Sequence, residues 1–203
     1  MNEIRKPGMK LGITGGIGSG KTSVCRVFNV LGIPVFSADP EAQKIMNSDN
    51  KIIREINKIA GKNLYSDGSL DRMGLASLIF NNPDALKKVN SLVHPVVFEH
   101  FNAWVEDQKT PYVIMENAIL FESGASALVD RIATIIAPVE ERIQRVIQRN
   151  ELSREQVMER IRNQMNDETR IKMSDYVINN SENAMIIPVI LRIHEDLLNH
   201  LNT

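Results

Sequence analysis

Residues Gly15 to Thr22 read Gly-Gly-Ile-Gly-Ser-Gly-Lys-Thr, the full G-x-x-x-x-G-K-[ST] pattern whose chemical use is to hold nucleotide phosphates. Gly15, Gly16, Gly18 and Gly20 admit the positive φ values that turn backbone N–H groups inward around an anion. Lys21 then reaches the outer phosphates, Thr22 offers a hydroxyl to Mg²⁺, and a helix starting here directs its positive dipole end at the same charge. A second candidate is Asp39, which closes Ser37-Ala38-Asp39 just before Pro40. It reads either as an ordinary helix cap or as a carboxylate beside the γ-phosphate. A free aspartate, with a pKa of about 3.9, is a weak base. Phosphoryl transfer is usually loose, so orienting an acceptor hydroxyl would matter more than taking its proton.

Such a loop needs a strand before it and a helix after it. Lys10 to Thr14 is a short apolar run suited to a buried parallel strand, and Val24, Val27, Phe28 and Leu31 recur at helical spacing until Gly32. Ile33 to Phe36 predicts a second strand that delivers Ser37 to Asp39 at its carboxyl end, where Pro40 opens a helix. Pro111 to Glu116, Ile132 to Ala137 and Tyr176 to Asn179 predict three more, the first two apolar enough to be covered on both faces. Alternating strands and helices predict an α/β fold, a three-layer parallel sheet of about five strands with ligands beyond the strand carboxyl ends. A closing amphipathic helix is expected over Ala184 to Leu201.

Between the second and third strands, from Asp49 to Gln108, the pattern predicts helices only. Ile52, Ile56, Ile59 and Ala60 mark one stripe ending at Gly61, Leu75, Leu78 and Ile79 a second, and Asn82-Pro83 starts a third. His94 precedes Pro95, which disfavours helical backbone at His94 and predicts a break there. Such a kink would aim the imidazole into a cleft for a phosphate or substrate contact. His100, His194 and His200 show no metal-ligand pairing with it. Val97, Phe98, Phe101, Trp104 and Val105 resume the pattern, with Trp104 in the core. The expected organisation is a nucleotide-binding core at 9–40 and 109–203, interrupted by a helical insertion at 41–108.

The helix predicted over Pro138 to Arg149 buries Val139, Ile143, Val146 and Ile147, and places Arg142, Arg145 and Arg149 within an arc of roughly 60° beside that stripe. After a break at Asn150 to Leu152, Ser153 and Gln156 have the capping-box spacing. Residues at about 140–172 then read as a helical lid closing cations over a triphosphate. The alternative is a solvated face on which Glu140, Glu141, Glu155 and Glu159 pair with the arginines.

The chain has 203 residues, 43% of them hydrophobic, enough for one domain with insertions. A net charge of −1 argues against a general nucleic-acid or membrane-surface role. Cys25 is the only cysteine, so no internal disulfide forms, and it reads as a packed thiol. No apolar run approaches the roughly 20 residues of a membrane span, and Met1 to Gly8 is too short and polar for a secretory signal. A cytoplasmic protein acting on small molecules is expected, with oligomeric state left open. A guanine-reading N-K-x-D sequence is absent, which argues against a GTP switch.

The ordered pieces GITGGIGSGKT at Gly12 to Thr22, LGIPVFSAD at Leu31 to Asp39, LDR at Leu70 to Arg72 and LVHPVV at Leu92 to Val97 resemble the dephospho-coenzyme A kinases. ILFE at Ile119 to Glu122, QRN at Gln148 to Asn150, ERIRNQ at Glu159 to Gln164 and SDYVINN at Ser174 to Asn180 extend the likeness nearly end to end. The resemblance implies a phosphate-loop fold of the nucleoside-monophosphate-kinase type, with a helical acceptor-binding insertion and a lid. It implies Mg²⁺- and ATP-dependent phosphorylation of the ribose 3′-hydroxyl of dephospho-coenzyme A. Carried over by position, Asp39, Lys21 and Arg149 would be catalytic. Gly16, Ile17, Gly18, Ser19, Gly20, Lys21, Thr22 and Ser23 would bind ATP together with Arg149, with Asn179 near the adenine and Thr22 on the metal. Asp39, Arg72, His94 and Glu122 would lie on the acceptor side. Three positions depart from the family pattern. Ser37 stands where a first aspartate is frequent, and Asn180-Ser181 replaces a usual Asn-Gly. Glu116-Asn117-Ala118 replaces a segment ending in Pro-Leu, leaving the acid behind Mg²⁺ open between Glu116 and Glu122.

Overall fold

The computed structural model describes residues 8–80, 82–150 and 152–201. Met1 to Pro7 of the segment read as unlike a signal, and Glu151 of the expected break, lie outside them. Five strands form one parallel sheet: β1 (Met9–Thr14), β2 (Val35–Ser37), β5 (Tyr112–Glu116), β6 (Arg131–Ile136) and β7 (Tyr176–Asn179), in the order β2-β5-β1-β6-β7. Ile13 is in register with Glu116 on one side and Ala133 on the other, while Ser37 is also in register with Glu116. The carboxyl ends of β2, β5 and β1 therefore lie side by side. The chain leaves β1 in one direction and later returns to its other side, so the end of β1 is the topological switch point where such sheets bind ligands.

The alternation of a parallel strand decides which residues meet which layer. Leu11 and Ile13 point into a core shared with Ile114, Ala133, Ile135 and Ile178, against Val24 and Phe28 of α1 (Lys21–Val30) and Ile190, Ile193 and Leu197 of α9 (Ile186–His200). On the opposite face Gly12 allows close cover by the segment after β5, since a Cβ there would meet Leu120 Cδ2 at 2.9 Å and Val129 Cγ2 at 3.0 Å. Among the described residues no helix is long and apolar enough to cross a membrane.

The chain divides into two compact units, residues 1–37 with 104–203, and residues 38–103. The second unit begins with α2 (Ala38–Ser48), so the helix starts two residues ahead of Pro40 and includes Asp39 in its first turn. Trp104 falls in the sheet unit, where its ring lies 5.6 Å from that of Phe36 on β2.

Two expectations for the helical unit are corrected. It is not purely helical: β3 (Tyr65–Ser66) and β4 (Ser69–Leu70) form a hairpin between α3 (Asn50–Ala60) and α4 (Arg72–Phe80). Its two turn residues, Asp67 and Gly68, have φ of 50° and 75°, as a type I′ turn requires. Nor does His94-Pro95 break the helix, because α5 runs unbroken over Pro83–Glu106. Buried Val89, Val93, Val97, Phe101 and Val105 keep a four-residue spacing straight through the proline, and that stripe outweighs the lost hydrogen bond. The bond Pro95 cannot donate would go to the carbonyl of Ser91, and both residues are exposed, so water can serve that carbonyl.

Candidate active site

Residues 15–20 join β1 to α1, and three of their glycines have positive φ: 149° at Gly15, 76° at Gly18 and 95° at Gly20. Gly20 caps α1 with no side-chain hydrogen bond, leaving the positive end of the helix to the loop. Every second carbonyl of the loop is held by a side-chain donor. Lys21 Nζ donates to Gly15 O at 2.9 Å, Arg142 Nε to Ile17 O at 2.9 Å and Asn180 Nδ2 to Ser19 O at 2.8 Å. In addition, Ile17 N donates to Gln164 Oε1 at 2.7 Å.

The glycines are required by close approach as well as by φ. A Cβ on Gly16 would stand 2.0 Å from Arg142 Nη2, one on Gly18 2.5 Å from Arg142 O, and one on Gly20 2.0 Å from Asn180 Nδ2. The walls around the loop are therefore α6 (Val139–Asn150) and the residue following β7. A shell of N–H groups left narrow by missing side chains is a fit for phosphate oxygens.

The arginines expected on one helix edge divide in the structure. Arg142 is buried, and its Nη1 meets Asp167 Oδ2 at 3.0 Å. Burial pushes its guanidinium below the ordinary arginine pKa, and Asp167 opposes that shift. Arg145 donates to Glu141 Oε2 and Asn180 O, both at 2.9 Å. Arg149 is exposed in the last turn of α6. Arg154, at the start of α7 (Arg154–Arg162), forms an exposed bidentate pair with Glu140 at 2.8 and 2.7 Å. Pairing with glutamates thus accounts for Arg154 and part of Arg145, while Arg142 faces the loop. Ser153 and Gln156 form the expected capping box on α7.

Glu122 does not stand apart as a free acid. Its Oε1 accepts from Met165 N at 3.1 Å and lies 3.6 Å from Arg170 Nη2, on the buried side chain of α8 (Asp167–Lys172). Glu116 instead sits half-buried at the end of β5, level with Ile13. Cys25 on α1 registers its charge: burial first, then Glu116, raise the thiol to about 12, and Lys21 pulls the other way. Glu116 and Lys21 therefore act on the same buried point beside the loop, and Cys25 stays a protonated packing thiol.

Thr22 and Ser23 are exposed in the first turn of α1. Asn179 ends β7, exposed, with its Oδ1 accepting from Ser181 N at 3.1 Å. Within the helical unit, Asp39 is exposed and two residues past Ser37. Arg72 opens α4, where Asp71 caps the helix by accepting from Gly74 N at 2.9 Å. The hairpin places that cap, since Asp71 N donates to Leu64 O at 2.7 Å and Leu70 N to Asn47 Oδ1 at 2.9 Å. His94 is half-buried and stacked on Phe98 at 6.2 Å, and burial holds its pKa below the usual histidine value. Three residues that hold the loop have no such role in the sequence motifs: Asn180 and Gln164, and Arg142 in its inward role. The clustering of Arg142 with Arg145 and Arg149 on one helical edge signals Arg142 in the sequence, while Gln164 and Asn180 end the ERIRNQ and SDYVINN pieces, which say nothing of a bond to the loop.

The family model described as CoaE, dephospho-CoA kinase, matches residues 9–185. A dephospho-CoA kinase of Bacteroides fragilis is 40% identical over 186 residues, covering 91% of each chain. Among solved structures, TT1252 from Thermus thermophilus matches with a TM-score of 0.82 and 33% identity, over 97% of this chain and 99% of that one. The dephospho-CoA kinase from Campylobacter jejuni matches with a TM-score of 0.68 and 26% identity, over 94% and 98% respectively.

Proposed function

The chain belongs to the dephospho-CoA kinase family, and from that premise we propose that it transfers the γ-phosphoryl group of ATP to the ribose 3′-hydroxyl of dephospho-coenzyme A. The products are coenzyme A and ADP, in the last step of coenzyme A synthesis, and both substrates are soluble metabolites of the cytoplasm. The observation that carries this reading is the phosphate loop at the switch point of β1, walled so closely that Gly16, Gly18 and Gly20 have no room for a side chain. Lys21 and the loop from Gly16 to Ser23 hold the triphosphate, through those backbone N–H groups not already donated, as Ile17 N is to Gln164, Ser19 N to Gly16 O and Ser23 N to Gly20 O.

Thr22 and Glu116 suit Mg²⁺, a hydroxyl on the first turn of α1 and an acid on the strand beside β1. When bound, the ion neutralises charge on the β- and γ-phosphates. Asp39 orients the acceptor hydroxyl and takes its proton late, as the new O–P bond forms and the bond to the ADP oxygen breaks. The flat guanidinium of Arg149 steadies the equatorial oxygens, a contribution that reaches about 10³–10⁵ in rate in such enzymes. Arg72 and His94 serve the acceptor, His94 as a neutral imidazole. Glu122 acts on the acceptor side through the segment it holds at Met165 and Arg170. Residues at about 140–172 close as a lid and exclude water, which would otherwise compete with the ribose hydroxyl for the phosphoryl group. Asn179 lies by the adenine.

An acceptor panel tests the reading. ADP release from Mg²⁺-ATP should require dephospho-coenzyme A and stay at background with AMP, GMP or shikimate. Equal release with any of these alternatives would refute it.

A further inference from the structure

Three carbonyls of the loop are held by side chains, at Gly15, Ile17 and Ser19, and the middle one is held from α6 by a buried arginine. A trans peptide is planar, with its C=O and N–H pointing in opposite directions. Fixing the Ile17 oxygen outside the loop therefore fixes the Gly18 N–H on the side where an anion binds. We propose that Arg142 is a positioning residue for the phosphate site: it sets the Ile17–Gly18 peptide, and Asp167 sets Arg142. The proposal rests on the kinase reading and concerns how this site is kept ready for nucleotide.

Arg142 is held from both sides. Its Nε meets Ile17 O at 2.9 Å and its Nη1 meets Asp167 Oδ2 at 3.0 Å, while Nη2 lies so near Gly16 that a Cβ there would be 2.0 Å away. The guanidinium plane is thus laid along the loop, which only a residue without a side chain permits. Asp167 is shared, its Oδ1 accepting from Arg170 Nη1 at 2.9 Å, so one carboxylate answers two arginines that are 3% and 1% exposed. Buried cations of this kind need their acid, and a displacement of α8 would withdraw it. Nucleotide affinity is in this way tied to the seating of α8. Lysine cannot replace Arg142, because one ammonium lacks the rigid fork that serves Ile17 O and Asp167 together.

The test is calorimetric titration of Mg²⁺-ADP into the unmodified chain and into Arg142→Lys, Arg142→Met and Asp167→Asn, with thermal unfolding and steady-state kinetics in parallel. Both Arg142 variants should bind about tenfold or more weakly, the loss expected for one hydrogen bond to a charged group. Asp167→Asn should weaken binding by less, about threefold or more, because Arg142 remains but is no longer fixed. KM for ATP should rise while KM for the acceptor holds, whereas a merely structural role would lower the active fraction and leave both KM values alone. If the Arg142 variants do not fold, Asp167→Asn decides. Folded variants that bind Mg²⁺-ADP as the unmodified chain does overturn this proposal alone, and absence of binding by the unmodified chain overturns it together with the kinase reading.

Discussion

Gly18 and Gly32 offer a paired test of why the loop is built from glycine. Their φ values are nearly equal, 76° and 81°, so an alanine at either site bears the same left-handed strain, about 1–2 kcal/mol. The surroundings differ. A Cβ on Gly32, just past α1, meets nothing within 4 Å, while one on Gly18 would lie 2.5 Å from Arg142 O and 3.0 Å from Arg142 C and Cα. Those are backbone atoms of α6, and they would have to retreat by about 1 Å to reach ordinary contact. Overpacking of that kind adds roughly 1–3 kcal/mol. Gly32→Ala should therefore lose only the conformational part, with a thermal midpoint lower by ~2–4 °C per kcal/mol. Gly18→Ala should lose roughly 2–5 kcal/mol in all or escape by shifting the loop, and either way bind Mg²⁺-ADP far more weakly. Differential scanning calorimetry and titration calorimetry on the two variants read both quantities. Equal stability loss with undiminished binding in Gly18→Ala would refute the close packing of the loop against α6.

Asp39→Asn should lower turnover by about 10²–10⁴ with Mg²⁺-ADP affinity little changed, and near-normal turnover in a coupled ADP assay would remove Asp39 from the mechanism. Arg149→Lys keeps the charge but loses the bidentate fork, so single-turnover phosphoryl transfer should slow by at least about tenfold; an unaltered rate would assign Arg149 to the solvated surface. Burial holds the His94 pKa low, so the unfolded chain takes up this proton first as pH falls. The stability His94 contributes is complete above the unfolded value of about 6.5 and declines as pH drops from there toward the lower folded-state pKa. Between about pH 7.5 and 5.5 the midpoint of His94→Gln should fall less than that of the unmodified chain, and an equal fall would take His94 out of the acid response.

The parts legible in the sequence are those encoded within a few residues. Loop, strand and helix around Gly15 to Thr22 announce themselves because glycine spacing, an apolar run and a 3.6-residue period are local properties. The Asp67-Gly68 turn was equally local, and a two-residue hairpin signal stood in the sequence, but strands of two residues carry no alternation to frame it. Pro95 misleads for the opposite reason. Its local preference is real, and only the buried stripe from Val89 to Val105, read across the proline, overrides it.

What local reading cannot supply is the outer support of the phosphate loop. Ile17 is bonded to Arg142 and Gln164, 125 and 147 positions away, and Ser19 to Asn180, 161 positions away. Periodicity places Arg142 on an edge of α6, but whether that edge meets solvent or a peptide oxygen depends on which loop the sheet order sets beside it. A fingerprint can thus be present while its conformation is enforced by residues outside it. Gly16 shows the dependence most directly: a Cβ there would claim the space that the buried guanidinium from α6 fills, so a side chain at position 16 would have to displace Arg142.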